Sequence, residues 1–320
     1  MKKLFAFMLA LTLALMAALF GCIPKPEKAG EEGADPIPTE KEGPDAQASF
    51  HRATLYFLSD EGYVVPVTKL IPKETGIAKA CLGYMQATPV NREAAARLGI
   101  KPVIPEGTRI SIKVENGNAV VDLAGMPALG SEAEERAMLA AIVNAMTEFN
   151  TVDTVTVLRD GRGGTLENGA ALPVEEERVP LNPEEEEVPA MAGAVPVTLY
   201  FPNSSGALTV PVTRYLGEGP SAYTVVSALI DGAKGGGLMN CFPEGTLLLG
   251  AAAENGRAVV DLSEDFRETA QTEGLYSLAY NTILLTLAER FGVKELELRV
   301  NGEPFAPETA APPAAFDPAG

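Results

Sequence analysis

Glu115-Asn116-Gly117 followed by Ala119-Val120-Val121-Asp122-Leu123 returns later in the chain as Glu254-Asn255-Gly256 and Ala258-Val259-Val260-Asp261-Leu262. Each copy is a turn signal between β-rich runs, because Asn and Gly both tolerate the positive φ that a tight hairpin demands. The stretch therefore predicts a hairpin, and predicts it twice. Working outward, three more blocks recur in the same order. Thr54-Leu55-Tyr56-Phe57 returns as Thr198-Leu199-Tyr200-Phe201, Val65-Pro66-Val67-Thr68 as Val210-Pro211-Val212-Thr213, and Pro105-Glu106-Gly107-Thr108 as Pro243-Glu244-Gly245-Thr246. Five ordered matches with a drifting offset describe an internal duplication with loop insertions.

Each copy reads alike. Two β-rich runs open it, about 53–58 with 63–69 and about 196–201 with 207–214. A helix follows, with Thr75 or Ser221 placed to cap it. Ile77, Cys81, Tyr84 and Met85 share one helical face, as do Val225, Val226, Leu229 and Ile230. The Asn-Gly hairpin comes next, 108–114 with 119–123 and 246–253 with 257–262. A longer amphipathic helix is opened in the first copy by the capping-box pair Ser131 and Glu134. A last strand, 152–158 or 293–300, ends at Asp160-Gly161 or Asn301-Gly302. The order β-β-α-β-β-α-β predicts an α+β fold, with helices packed on one face of a mixed sheet.

The composition excludes several functions. With 25 Lys+Arg against 43 Asp+Glu, the net charge is −18, which repels nucleic-acid phosphates and anionic headgroups as primary partners. The single histidine, His51, leaves no His-based triad or multi-His metal site. Zero Trp argues against a broad stacking platform for sugars or bases. Cys81 aligns with the apolar Val226 and reads as a buried thiol. Cys241 has no counterpart in the first copy, and a disulfide between the two stays open as the alternative.

The remaining sequence gives an address. Lys2 and Lys3 precede the apolar run Leu4–Phe20, then Gly21-Cys22. Residues 1–21 read as a signal peptide, and Leu19-Phe20-Gly21-Cys22 resembles a bacterial lipobox that would leave Cys22 lipidated. The segments 22–50, 162–194 and 306–320 are rich in Pro, Gly, Ala or like charge. They read as a tether, an acidic self-repelling linker and a disordered tail around modules at 51–161 and 195–305.

Taken together, the Tyr-Phe strand, Val-Pro-Val-Thr, Pro-Glu-Gly-Thr, Ala-Val-Val-Asp-Leu-Ser and the closing Asn-Gly resemble the sporulation and spore-germination domain family, GerMN or Germane. The second copy keeps Leu262-Ser263 and Asn301-Gly302; the first has Ala124 where Ser263 stands and a longer segment at Thr88–Val103. The resemblance implies an architecture like that of ring-building modules. It also implies an envelope role in sporulation or germination, on the outer face of the cytoplasmic membrane. The implied partners are that membrane, through Cys22, and envelope proteins of a sporulation or germination complex. Self-association and peptidoglycan complete the partner list.

Asp122 with Glu106, and Asp261 with Glu244, could form carboxylate dyads, but the simpler reading gives these residues to turns and strand ends. Tyr56 and Tyr200 could meet a ligand, against packing beneath a helix. Lys234-Gly235-Gly236-Gly237 lacks the order of a phosphate loop. No metal-ligand spacing is present and no cofactor is expected. The favoured function is a non-enzymatic assembly or interaction module. The alternatives are a lipoprotein binding cell wall or a small ligand, and a wall-modifying enzyme using the acidic pairs.

Overall fold

Both Asn-Gly turns form as expected: Asn116 and Asn255 adopt φ of 50° and 54°, and Gly117 and Gly256 follow at 80° and 78°. In this computed structural model the described residues are 50–72, 76–185 and 193–307. Residues 1–21, read above as a signal peptide, Cys22, the expected tether up to 49, Thr75 and the residues beyond 307 lie outside them.

The first module runs β1 (Phe50–Ser59), β2 (Val64–Pro72), α1 (Ile77–Tyr84), α2 (Pro89–Ala96), β3 (Ile100–Pro102), β4 (Arg109–Glu115), β5 (Asn118–Ala124), α3 (Glu132–Thr147) and β6 (Thr154–Leu158). The second runs β7 (Val195–Pro202), β8 (Thr209–Leu216), α4 (Ala222–Ile230), β9 (Leu248–Glu254), β10 (Arg257–Leu262), a 3-10 turn (Glu264–Gln271), α5 (Leu275–Phe291), β11 (Glu295–Val300) and β12 (Glu303–Pro304). In each module the opening hairpin forms its own antiparallel sheet. A second, mixed sheet joins the Asn-Gly hairpin to a parallel last strand across the long helix.

Alternation fixes the cores. On β5, Ala119, Val121 and Leu123 are fully buried; on β10, Ala258, Val260 and Leu262 are. They share cores with Met138, Ile142 and Met146 of α3, and with Ile283 and Leu287 of α5. Each of the Val, Leu, Ile and Met side chains among them contributes about 1.5–3 kcal/mol on leaving water. The caps follow the sequence closely. Ser221 accepts from the Thr224 amide and Ser131 from the Glu134 amide, both at 3.2 Å. Glu134 reaches back to the Gly130 amide at 2.9 Å.

Three features depart from the reading. The Thr88–Val103 insertion is regular: Thr88 caps α2 through the Asn91 amide, Pro89 occupies its first turn, and β3 adds to β1 at Phe57–Ser59. The residue that precedes α1 is Gly76, in the left-handed region and offering no side-chain cap. The largest departure is the acidic linker. Its described part, 162–185, is no spacer, for Leu166, Ala170 and Leu172 are buried in the first core and Val179 and Leu181 pack against it. Apolar residues between the charges supply enough burial to overcome repulsion among the carboxylates.

Candidate functional site

The linker forms a strap that ties the modules together, and the site is built along it. It first extends the mixed sheet of module one: Val155 and Glu176 exchange both backbone hydrogen bonds, and the Val157 amide donates to Pro173 at 2.9 Å. Glu135, wholly buried on α3, accepts from the Asn168 amide at 2.9 Å, the Asn168 side chain at 3.0 Å and the Ala170 amide at 3.2 Å. Burial pushes this carboxyl up, but the N–H donors outweigh it and hold it below the ordinary carboxylate value.

Further along, Arg178 donates to Glu148 at 2.6 Å and to the Tyr56 hydroxyl at 2.9 Å. Asn182, itself at φ 46°, accepts from the Val64 amide at 2.8 Å. Its Nδ2 donates to Val64 O at 2.8 Å and to Pro211 O at 2.6 Å, so one amide holds β2 and β8 at once. Glu184 then meets Arg214 of β8, where the two side chains are 2% and 6% exposed. Arg214 also donates to the carbonyls of Ala228 and Gly232, and Glu184 accepts from the Lys234 amide at 2.8 Å. Burial raises the Glu184 pKa; these hydrogen bonds prevail and lower it. The cores interlock too, for Val65 is buried in the second core and Leu208 packs on the first.

Beside the strap lies a cleft of about 640 Å³, bordered by Tyr63, Ala137, Asn182, Glu185, Tyr215 and Lys234. Glu185 pairs with Lys234 through one oxygen, and its other oxygen, Oε2, is buried without a partner. The cleft has the size of a small-ligand site at a domain boundary.

The residues singled out from sequence fall into duplicated structural contacts. Asp122 accepts from the Gly161 amide and Asp261 from the Gly302 amide, both at 2.9 Å, so each tethers the turn after its module's last long strand. Glu106 pairs instead with Arg92, and Glu244 is exposed at the turn before β9. Tyr56 is wholly buried and donates to Glu148 at 2.7 Å, while Tyr200 donates to Glu289, which also accepts from Thr198 at 2.7 Å. Burial raises both phenol pKa values, with the adjacent carboxylates adding to it. A phenol so held donates its proton in a hydrogen bond and does not release it. Cys81 and Cys241 are buried and free, their thiols pushed up to about 11 by burial. Among the described residues no group of three or more His, Cys, Asp or Glu is arranged to hold a metal ion.

Sequence reasoning missed Glu135, Arg178, Asn182, Glu184 and Arg214. One signal was available: Arg214 interrupts the otherwise uncharged strand Thr209–Leu216, and a charge buried on a strand requires a partner.

Comparison with known proteins fits this architecture. The chain is 26% identical to the spore germination protein GerM of Bacillus subtilis strain 168 over 263 residues, covering 78% of this chain and 71% of that one. Its fold matches the tandem GerMN domains of the sporulation protein GerM from Bacillus subtilis with a TM-score of 0.63 at 23% identity, over 84% of this chain and 98% of that one. The family described as Germane, sporulation and spore germination, matches residues 54–165 and 198–306. The chain, with its two modules in tandem, belongs to the Germane family of sporulation and spore-germination proteins.

Proposed function

We propose that this protein is a lipoprotein held by Cys22 at the outer face of the cytoplasmic membrane. There its two modules act without catalysis, as an assembly or interaction unit of an envelope complex in sporulation or germination. The observation that carries the reading is what the duplicated polar residues do. Asp122, Asp261, Tyr56 and Tyr200 are each engaged in holding a turn or a helix end. The strap makes the pair one body, in which each mixed sheet ends on a strand of its Asn-Gly hairpin, β4 in the first module and β9 in the second. β4 carries Arg109 and Lys113, which discourage pairing, whereas β9 reads Leu-Leu-Gly-Ala-Ala-Ala before Glu254, with its own Leu249 exposed next to exposed Leu247. An uncharged edge suits addition of a partner strand. Among the described residues no helix is long and apolar enough to cross a membrane.

The test is affinity capture of the anchored protein from its own host after gentle cross-linking, through growth and spore formation. Envelope-complex proteins recovered only during sporulation support the reading. A monodisperse monomer that captures none opposes it. The cleft beside the strap favours a second reading, binding of a wall glycan or small ligand. Co-sedimentation with purified peptidoglycan, lost on filling the cleft with Ala137→Trp, would replace the first reading with the second.

A further inference from the structure

The two Asn-Gly hairpins differ where β9 begins. Thr108 and Thr246 close the matched Pro-Glu-Gly-Thr turns, yet Arg109 follows the first and Leu247 the second. β4 then pairs with β5 residue for residue. β9 pairs Leu248 with Leu262 and Gly250 with Asp261, so Leu249 stands opposite no residue of β10. A bulge of this kind re-aims a side chain, and here it turns a leucine to solvent. Leu247 is 63% exposed and Leu249 49%. Tyr223 of α4, 46% exposed, joins them: its hydroxyl donates to the Leu248 carbonyl, between the two, at 3.4 Å.

The elements around these three side chains are acidic. From Tyr215 to Gly256 the chain carries Glu218, Asp231, Glu244 and Glu254 and a single basic residue, Lys234, which pairs with Glu185. Glu244 is exposed three positions before Leu247. Ser263 Oγ accepts from the Leu247 amide at 2.9 Å and donates to exposed Asp265 at 3.0 Å, which places that carboxylate beside the leucines. The basic residues of adjoining elements are engaged. Arg267 pairs with Glu264 at 2.9 Å, and Arg299, next to Asp261 on β11, with Glu297 at 2.6 Å. Arg257, opposite Glu254 at the far end of the hairpin, also pairs with Glu297.

We propose that Tyr223, Leu247 and Leu249 form a docking surface for a partner protein whose contact segment sets apolar side chains between Lys or Arg residues. Contiguous exposed apolar groups with a polar rim mark an interaction site. The sign of the rim selects what covers it. Glu244 and Asp265 repel anionic headgroups, and a second copy of a chain with net charge −18 brings like charge to the contact. The inference rests on the assembly reading above and gives it a surface and a partner chemistry.

The test uses the chain from Ile23 to Gly320, which keeps the compact unit Asp45–Gly320, as the target for a phage-displayed library of random short peptides. Enriched peptides are expected to combine apolar residues with Lys or Arg. A synthetic copy of the most enriched peptide should bind about tenfold or more weakly to Leu247→Arg with Leu249→Ser. It should also bind more weakly to Glu244→Gln with Asp265→Asn, and at raised salt. Leu247→Arg gives the second module the residue that the first already carries at the matched position, and an unchanged Tm checks that the fold tolerates it. A photo-crosslinking phenylalanine analogue in place of Tyr223 should label the peptide in otherwise wild-type protein, while the same group in place of Val114 on β4 should not. No enrichment, enriched peptides without basic residues, or binding indifferent to the leucine variant overturns the proposal. So does self-association, or binding to phosphatidylglycerol vesicles, that the leucine variant abolishes, since a second copy or a membrane would then occupy the surface. Failure of capture from the host with the peptide result intact would remove the assembly reading and leave the docking surface. The reverse would leave assembly through another face.

Discussion

Glu184 and Arg214 form a buried ion pair, Oε1 accepting from Nη2 at 2.8 Å, that fastens the segment between the modules to the second of them. Removing one partner strands the other charge in the interior, which costs about 3–5 kcal/mol. Glu184→Ala is therefore expected to lower the urea midpoint sharply. Glu184→Leu combined with Arg214→Met should recover much of the loss. A single variant as stable as the wild type would mean that the strap bears no part of the coupling.

The same strap sets the acid limit. Glu135 and Glu184 have folded pKa values below their ordinary ones. Their contribution is complete above the unfolded carboxylate value of about 4.3 and is lost as pH falls through the lower folded values. Thermal scans across that window should show Tm dropping steeply. In Glu135→Gln, the part of that drop due to this carboxylate should be absent.

At the alkaline end the tyrosines act in the opposite sense. Tyr56 and Tyr200 are held neutral, so their contribution is complete below the ordinary tyrosine value of about 10 and fades as pH rises through the raised folded values. Ultraviolet titration of the native protein should show these phenols ionising only as the fold is lost. Tyr56→Phe is expected to cost about 1–2 kcal/mol by unlinking Arg178 and Glu148 from the strand.

The strand-end aspartates should behave as twins. Asp122→Ala and Asp261→Ala each remove one acceptor from a turn amide, at about 1 kcal/mol. They lie in separate modules, so the double variant should be additive within about 0.5 kcal/mol. The amides of Gly161 and Gly302 should exchange faster in the respective variants. A much larger loss in a functional assay than in stability would return these carboxylates to candidacy for chemistry.

Thiol labelling checks the interior. Cys81 and Cys241 are each 1% exposed, with raised pKa values. Neither should react with a thiol reagent until denaturant is added, and both should then react without prior reduction. Reaction of only one, or a requirement for reductant, would indicate a different core.

The modules were legible because their signals are local and duplicated: two Asn-Gly turns, alternation at Ala119, Val121 and Leu123, and caps at Ser131 and Ser221. The strap was not, because its determinants are distant. Glu184 sits in a run of carboxylates that composition assigns to solvent, and only the fold brings Arg214 to it across 30 positions. Asn182 was hidden for the same reason, since its partners Val64 and Pro211 come from different modules. Thr88-Pro89 was a readable helix start inside a segment whose irregular length concealed it. The acidic pairs were legible as residues but not as partners: Glu106 turns to Arg92, and Asp122 to Gly161.

Asn182 is followed by Pro183, whose nitrogen carries no hydrogen. An asparagine deamidates when the next backbone nitrogen attacks its side-chain carbonyl, and proline cannot supply that attack. Asn116, Asn168, Asn255 and Asn301 each precede glycine, where the route is open. Chemical ageing of a long-lived molecule would therefore mark the turns and the Asn168 end of the strap first, and spare the Asn182 contact that holds β2 and β8 together.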